Sequence, residues 1–443
     1  MSKSDPATSV GEPRETEVGS VFVSNYPPYS FWDMEHVPKA HEALASPAGR
    51  QTPLGLYLHI PFCRKRCKFC YFKVYTEKNS QEVSRYLVAL GREVEQFAGA
   101  AAVRGRPLKF VYVGGGTPSF ISAKHLRELM ARLQAAIPWD GVEEVTFECE
   151  PGTLTRPKLV AIREVGVTRL SLGVENFDDR VLEENGRAHL SKEIFRVAPW
   201  IRALDFDQVN IDLIAGMVGE TWDTWKDTVR KTIEMDPDSV TIYQMELPFN
   251  TVYSRQILDD SGTVPVADWA LKREWHDYAF AQFEAAGYEV SSAYTVVKRG
   301  SSARFVYRDA VWHGADLLGT GVASFSHVNG VHFQNETGWE PYLTRVEAGE
   351  LPISRAFSTT AAERLTRELI LQLKLGVVEP EYFRDKFQAD ILQDFRPALD
   401  HWRDKNLLMV DNGSVRLSRQ GLLRVDSLLP EFYDPKYRGA RYT

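Results

Sequence analysis

Strand-like and helix-like segments alternate six times between residues 55 and 245, and this alternation limits the chain to few folds. Short apolar, β-branched runs predict strands at Leu56–Ile60, Phe110–Val113, Glu144–Glu148, Arg169–Leu172, Gln208–Leu213 and Val240–Gln244. Amphipathic patterns predict helices between them, as at Gln81–Phe97, Ala123–Ala136, Arg156–Val165 and Trp222–Met235. Strands separated by helices form a parallel sheet, because each helix returns the chain across one face. Right-handed crossovers roll six such units toward a barrel.

The rest of the sequence indicates three further regions. The predicted regions are an N-terminal extension, the barrel, an extension or linker, and a C-terminal helical domain with a wing, at residues 1–50, 51–300, 301–357 and 358–443. The first 19 residues are polar, and we expect them to be disordered. Aromatic residues fill the remainder of the extension, so we expect it to pack on the barrel or over its active site. An amphipathic pattern at 358–376 and a turn at Asp411-Asn412-Gly413 predict the helical, winged region.

Composition and charge argue against several classes of protein. The chain has 443 residues, 44% of them hydrophobic, and only 4 cysteines. Three of the cysteines share one short motif, so we expect no disulfide framework and a reducing, cytoplasmic location. The sequence shows no pattern of a secretory signal and no apolar run of membrane length, and we expect no membrane span. A net charge of −7 argues against a nucleic-acid partner.

Three cysteines follow the first predicted strand with C-x3-C-x2-C spacing, at Cys63, Cys67 and Cys70. Three thiolates on one loop can bind three irons of a 4Fe–4S cube and leave the fourth iron without a protein ligand. A structural zinc site is the alternative, but zinc requires a fourth ligand. The candidates for that ligand are His59 and the distant Cys149.

Glycines and carboxylates stand where other predicted strands end. Gly115-Gly116-Thr117 follows the second strand, and consecutive glycines let a ligand approach the backbone closely. Glu148 ends the third strand and Asp212 the fifth, where a carboxylate can accept hydrogen bonds from hydroxyl or ammonium groups. Catalytic residues of parallel barrels lie at the carboxyl ends of the strands. The sequence therefore predicts one site that joins these residues to the cysteines.

The segment Leu56-Tyr57-Leu58-His59-Ile60-Pro61-Phe62-Cys63, followed by Cys67-Lys68-Phe69-Cys70, resembles the radical S-adenosylmethionine (SAM) superfamily. More narrowly, it resembles the branch of oxygen-independent coproporphyrinogen III oxidases, heme chaperones, and class C methyltransferases and cyclopropanases. The resemblance implies an α/β fold, with a partial (β/α)6 barrel, a mixed C-terminal extension and a small helical, winged domain. It also implies a 4Fe–4S cluster on the three cysteines, reductive cleavage of SAM to a 5′-deoxyadenosyl radical, and a flavodoxin- or ferredoxin-type reductant.

The same resemblance implies which residues bind SAM. These are Tyr57, Phe69, Gly115, Gly116, Thr117, Glu148, Glu175, Arg187, Asp212, Tyr243 and Gln244. Glu175 and Tyr243 are the expected catalytic residues. Arg187 has the two-pronged geometry that pairs with a carboxylate, either of SAM, of a second SAM or of the substrate.

Three departures from the family pattern bear on the reaction. Phe72 stands where the oxidases have a further cysteine, Glu175 stands where glutamine is usual, and the chaperones' His-Asn pair is missing ahead of Trp312. We therefore expect a radical SAM enzyme that uses a second SAM to methylate or cyclopropanate an unsaturated small molecule. The alternatives are oxidative decarboxylation of a tetrapyrrole, or a heme carrier in which His313 or His327 replaces the missing ligand.

Overall fold

The computed structural model describes residues 15–49, 51–259 and 264–440. Most of the polar segment predicted to be disordered, residues 1–14, lies outside this description. The strands are β1 Leu54–Ile60, β2 Phe110–Gly115, β3 Glu144–Cys149, β4 Arg169–Glu175, β5 Gln208–Ala215, β6 Ser239–Gln244, β7 Tyr288–Val290, β8 Thr295–Lys298, β9 Asp316–Thr320, β10 Phe325–Val328, β11 Val331–Asn335, β12 Ile353–Ser358, β13 Val377–Val378, β14 Leu408–Asp411 and β15 Ser414–Leu417.

Helices connect these strands. They are α1 Val37–Ala45, α2 Ser80–Gly99, α3 Ala123–Ala136, α4 Arg156–Glu164, α5 Asp179–Glu184, α6 Ser191–Ala203, α7 Trp222–Met235, α8 Val252–Leu258, α9 Trp269–Ala285, α10 Val306–Trp312, α11 Trp339–Glu347, α12 Ala361–Leu373, α13 Pro380–Phe387, α14 Ile391–Asp394, α15 Arg396–Asp404, α16 Arg419–Leu423 and α17 Val425–Leu428. No described helix is long and apolar enough to cross a membrane.

Twelve strands form one sheet in the order β12-β11-β10-β9-β1-β2-β3-β4-β5-β6-β8-β7. Strands β1 to β6 are consecutive neighbours and all parallel, as the helical crossovers require. Antiparallel strands extend the sheet beyond β9 on one side and beyond β6 on the other. The predicted α/β fold, a partial barrel with a mixed C-terminal extension, is confirmed.

The parallel strands form because both of their faces are buried. In β1, every residue except the partly buried Tyr57 is buried, which is typical of a strand covered by helices on one face and barrel interior on the other. Helix α2 begins at a capping box in which Asn79 accepts from Glu82 N and Glu82 bonds back to Asn79 N. These local signals fix where each βα unit turns, and so where its carboxyl edge lies.

The C-terminal part packs around a second core. Strands β13, β15 and β14 form a small antiparallel sheet, the wing, beside helices α12 to α17. Val23 and Tyr26 of the N-terminal extension are buried in this core together with Trp402 and Phe432. The extension thus reaches the C-terminal region, whereas the sequence predicted only that it would pack on the barrel or over its active site.

Candidate active site

One cavity of about 1270 Å³ lies at the carboxyl edge of the parallel strands. All of the site residues predicted from the sequence line it: Tyr57, Cys63, Cys67, Phe69, Cys70, Gly115, Gly116, Thr117, Glu148, Glu175, Arg187, Asp212, Tyr243 and Gln244. Ligand pockets usually measure about 300–1,000 Å³. This cavity therefore has room for more than one small molecule. The roles assigned to these residues remain predictions.

The cysteine loop is held in place by its backbone. Cys63 N donates to Tyr75 O at 3.1 Å, and Cys70 N donates to Cys67 O at 3.2 Å. The Thr117 hydroxyl donates to Cys63 Sγ at 3.3 Å. Burial raises the pKa of Cys63 to about 11 and that of Cys70 to about 12. These thiols would lose their protons on binding a metal.

The donor set fits an iron–sulfur cluster better than zinc. Among the described residues, no three His, Cys, Asp or Glu side chains are grouped closely enough to hold one metal ion. His59 uses both ring nitrogens elsewhere, accepting from Tyr57 Oη at 3.1 Å and donating to Lys73 O at 3.2 Å. The Cys149 thiol is buried and directed at Phe147 O of its own strand. A cluster needs only one thiolate for each iron that it attaches to the protein.

Arg187 brings a positive charge to this loop. Its Nη1 donates to Cys67 Sγ at 3.5 Å and its Nη2 donates to Gly173 O at 2.8 Å. Its Nε is buried and has no hydrogen-bond partner among the described residues. Burial lowers the pKa of Arg187, but Cys67 and Glu175 raise it more. A charged donor with an unused N–H, directed toward a cluster loop, suits an anionic ligand group beside the cluster.

Two carboxylates lie on the acidic wall of the cavity. Glu148 is next to the last residue of β3, but Asp212 lies within β5, which continues to Ala215 beyond the predicted strand end. Glu148 accepts from Tyr112 Oη at 2.6 Å and from Gly115 N at 3.1 Å. Asp212 accepts from Ser171 Oγ at 2.7 Å and from Asn210 Nδ2 at 2.9 Å. Burial raises the pKa of Glu148 to about 7 and also raises that of Asp212. Two buried acids that line one cavity, with Asp212 helping to raise the pKa of Glu148, favour a cationic ligand.

Glu175 ends β4 in a left-handed conformation, with φ of 66°. Its Oε1 lies 3.4 Å from Arg187 Nη2, and both side chains are almost buried. Burial raises the pKa of Glu175 to about 7, although Arg187 opposes the rise. A non-glycine residue rarely adopts this backbone region outside functional sites or turns. The bend directs a carboxylate, rather than the family's amide, into the cavity.

Aromatic and amide side chains complete this part of the wall. Tyr57 stacks on Tyr112 with ring centroids 6.0 Å apart, and the 40% exposed Tyr243 stacks on Tyr294 at 6.4 Å. Gln244 Nε2 donates to Leu423 O at 3.2 Å and so ties β6 to the C-terminal region. Phe72, at the position where the resemblance to the oxidases implies a cysteine, also lines the cavity and is 43% exposed.

Sequence reasoning missed three parts of the cavity. The buried Glu150 carboxylate bonds His189 Nδ1 at 3.0 Å and Arg64 Nη2 at 3.2 Å, behind the cysteine loop. Residues from Leu422 to Ser427 line the cavity, together with residues of the N-terminal extension, which the sequence had predicted to pack on the barrel or over its active site. The last part is a basic wall beyond β9. His313 lies outside the cavity lining, and its ring is bonded to Asp309 O of its own helix at 2.7 Å.

Comparison with known proteins gives two family matches. The family model of the radical SAM superfamily matches residues 57–232, and that of the HemN C-terminal domain matches residues 359–424. The first match contains the end of β1, the cysteine loop and β2 to β5. The second contains α12 and the wing.

Individual relatives cover most of the chain. The heme chaperone HemW of Bacillus subtilis is 28% identical over 373 residues, which are 83% of this chain and 96% of HemW. The oxygen-independent coproporphyrinogen III oxidase of Synechocystis is 26% identical over 372 residues, 81% of this chain and 79% of the oxidase. The structure of coproporphyrinogen III oxidase (HemN) from Escherichia coli superposes with a TM-score of 0.79 at 23% identity, covering 93% of this chain and 96% of HemN. This likeness shows a shared fold.

Proposed function

Since the chain belongs to the radical SAM superfamily, in the branch of coproporphyrinogen III oxidases and heme chaperones, we propose that it oxidises a carboxylate-bearing tetrapyrrole. Superfamily members use a 4Fe–4S cluster and SAM. When bound, the cluster supplies the electron that cleaves SAM to methionine and a 5′-deoxyadenosyl radical. The observation that carries the proposal is a single cavity that joins the cysteine loop and the acidic wall to arginines of the C-terminal region.

The chain's own residues have separate tasks in this proposal. Cys63, Cys67 and Cys70 hold the cluster, and the Thr117 hydroxyl stabilises the Cys63 sulfur by its hydrogen bond. Glu148 and Asp212 accept hydrogen bonds from the ammonium or ribose hydroxyl groups of SAM. These acceptors are already oriented by Tyr112 and Ser171, so little ordering is needed when SAM binds.

Water exclusion is the task of the two chain ends. Ser20 Oγ and the backbone N–H groups of Val21 and Phe22 donate to the Glu246 carboxylate just beyond β6, at 2.5 to 3.0 Å. Val23 N donates to Asp426 Oδ1 at 2.9 Å. These bonds hold the N-terminal extension across the cavity. A closed cavity protects a reactive radical from solvent.

The test is an anaerobic reaction of reconstituted protein with SAM, dithionite or reduced flavodoxin, coproporphyrinogen III and a one-electron acceptor. The acceptor is needed because the substrate radical left by hydrogen abstraction must lose one electron when it releases carbon dioxide. We expect 5′-deoxyadenosine together with a tetrapyrrole that has lost a carboxyl group, both measured by mass spectrometry. Asp212→Asn should slow both, whereas Asp207→Asn, at an exposed site ahead of the same strand, should not. A substrate that gains a methyl or methylene group instead would overturn the proposal in favour of methylation or cyclopropanation. We place those reactions second because the relatives described above are oxidases and chaperones.

A heme carrier is the other candidate, and Phe72 favours it, because the oxidases have a cysteine at this position. Heme titration of the cluster-loaded protein distinguishes the two. Tight heme binding in the absence of SAM cleavage would support the carrier. SAM cleavage that depends on a tetrapyrrole would support the enzyme.

A further inference from the structure

The cavity has a basic wall on the side away from the acidic strand ends. Its residues come from the antiparallel extension and from α12: His327 on β10, Gln334 on β11, Arg355 on β12 and Arg367 on α12, with Asn25 from the N-terminal extension. None of these residues belongs to the predicted SAM site. The basic wall is therefore available to bind a ligand group other than those of SAM.

Arg367 is the central residue of this wall. Its side chain lines the cavity, yet the residue is only 3% exposed. Its Nε donates to Asn25 Oδ1 at 2.7 Å, which fixes the plane of the guanidinium group. Within the described part of the chain, its two Nη groups have no hydrogen-bond partner. A buried cation with unused donors normally binds an anion.

The carboxylates that act on Arg367 are already paired with other cations. Glu368 accepts from Lys386 Nζ at 2.8 Å, and Asp316 pairs with Arg106 Nη1 at 2.9 Å. Burial lowers the pKa of Arg367 despite the opposing effect of Glu368. The positive charge of Arg367 is thus only partly compensated within the protein.

The hydrogen-bond network next to Arg367 sets the tautomer of two histidines. Asn25 Oδ1 accepts from Arg367, so its amide nitrogen donates to His332 Nδ1 at 3.3 Å. His332 Nε2 faces Tyr26 O at 3.1 Å and must carry the proton. His332 Nδ1 is therefore an acceptor, and His327 Nδ1, 3.0 Å away, donates to it. This leaves the other ring nitrogen of His327, Nε2, as an acceptor on a side chain that lines the cavity.

Arg355 adds a second cation. Its Nε donates to Gln334 Oε1 at 2.6 Å and its Nη1 donates to Tyr29 O at 3.0 Å, so the group is oriented by neutral partners. No described carboxylate forms a hydrogen bond with Arg355 or Arg367. The wall therefore offers two guanidinium groups and one imidazole acceptor to a ligand.

We propose that this wall binds the substrate through a carboxylate held by Arg367, with His327 Nε2 accepting from an N–H or O–H group of the same molecule. This inference rests on the proposed function and specifies the substrate as one with carboxylates and neighbouring N–H donors, as in a propionate-bearing pyrrole. Arginine suits a carboxylate because its planar fork makes two parallel hydrogen bonds. Anchoring one end of the substrate on this wall helps to position its other end for reaction.

The test measures binding of two fluorescent probes to cluster-loaded, full-length protein: coproporphyrin III and its tetramethyl ester, in which the carboxylates are blocked. We expect the acid to bind more tightly than the ester. Arg367→Gln should weaken the acid about ten- to a hundredfold and leave the ester unchanged. Arg364→Gln is the matched control, because Arg364 lies on the same helix, bonds to Thr359 O at 2.8 Å and is outside the cavity lining.

A second variant guards against a folding defect. Arg367→Lys keeps the positive charge but loses the planar, two-pronged donor group, so its affinity for the acid should fall between those of the parent protein and Arg367→Gln. Its cluster absorbance and its formation of 5′-deoxyadenosine from SAM should equal those of the parent protein. Equal binding of acid and ester, unchanged in both Arg367 variants, would overturn the carboxylate site but leave a tetrapyrrole function intact. Failure of the parent protein to bind either probe would overturn the proposed function and this site with it.

Discussion

Glu148→Gln should remove a large part of the pH dependence of stability. Burial raises the pKa of Glu148 to about 7, from an ordinary value of 4.5. A carboxyl group whose pKa is raised by folding stabilises the folded state fully below pH 4.5, and this contribution is lost as the pH rises through 7. The variant keeps a side chain of the same shape, in which the amide oxygen can still accept from Gly115 N, but it cannot ionise.

The size of the effect follows from the two pKa values. A rise of the pKa from 4.5 to about 7 corresponds to about 3 kcal/mol of folding stability, which the protein loses once the pH is well above 7 and Glu148 is ionised. Part of that loss has already occurred at pH 5.5. Between pH 5.5 and pH 8, the parent protein should lose about 2 kcal/mol through this residue. Over the same pH range, Glu148→Gln should lose about 2 kcal/mol less folding stability than the parent protein.

Urea unfolding of the full-length, cluster-free chain, followed by tryptophan fluorescence, measures this difference. Glu128→Gln, on the exposed face of α3, controls for the simple loss of a carboxylate. If the parent and Glu148→Gln change in parallel between pH 5.5 and pH 8, Glu148 is ionised normally in the folded protein. In that case the acidic wall would not be a desolvated site, and our reasoning about its preference for cations would fail.

Three other results are expected. Cys63→Ala should abolish the iron–sulfur absorbance of anaerobically reconstituted protein and Cys149→Ala should not; equal loss in both would indicate a four-thiolate site. Labelled SAM should bind cluster-loaded protein with a stoichiometry near two, and Arg187→Ala should weaken binding about a hundredfold at one site; a stoichiometry near one in both proteins would exclude a second SAM. Lys374→Met should lower stability by about 3–5 kcal/mol, because it leaves Asp426 without its buried cation; thermal melting that matches the parent would show that this pair contributes little.

The sequence located the six parallel strands because apolar runs and helical periodicity are local signals. Each strand was found within two residues of its true start, but β4 continues to Glu175 and β5 to Ala215, past the predicted ends. Gly173 and Glu175 lack the apolar pattern that marks a strand. Helices α5 and α6 were not predicted, since α5 is only six residues long and α6 contains Pro199.

Most of the predicted residues that line the cavity lie at or just after strand ends, whereas Tyr57 and Arg187 were expected only from the family resemblance. Glu148 and Asp212 were found because topology brings every carboxyl end to one edge. The basic wall was not found, since Asn25 and Arg367 meet across 342 residues of sequence and no local pattern links them. Hydrogen-bond donors without a partner, such as the Nη groups of Arg367, and histidine tautomers depend on the folded structure and cannot be predicted from the sequence.

The contact between the first and last parts of the chain imposes an order on biosynthesis. Val23 bonds to Asp426 and Tyr26 bonds to the backbone of Asp434, so each pair is separated by more than 400 residues. A ribosome completes the cysteine loop and all six parallel strands long before it reaches Asp426. During that interval the N-terminal extension has no docking partner in the C-terminal region. The N-terminal extension can therefore take its final place across the cavity only after the C-terminal region has been made.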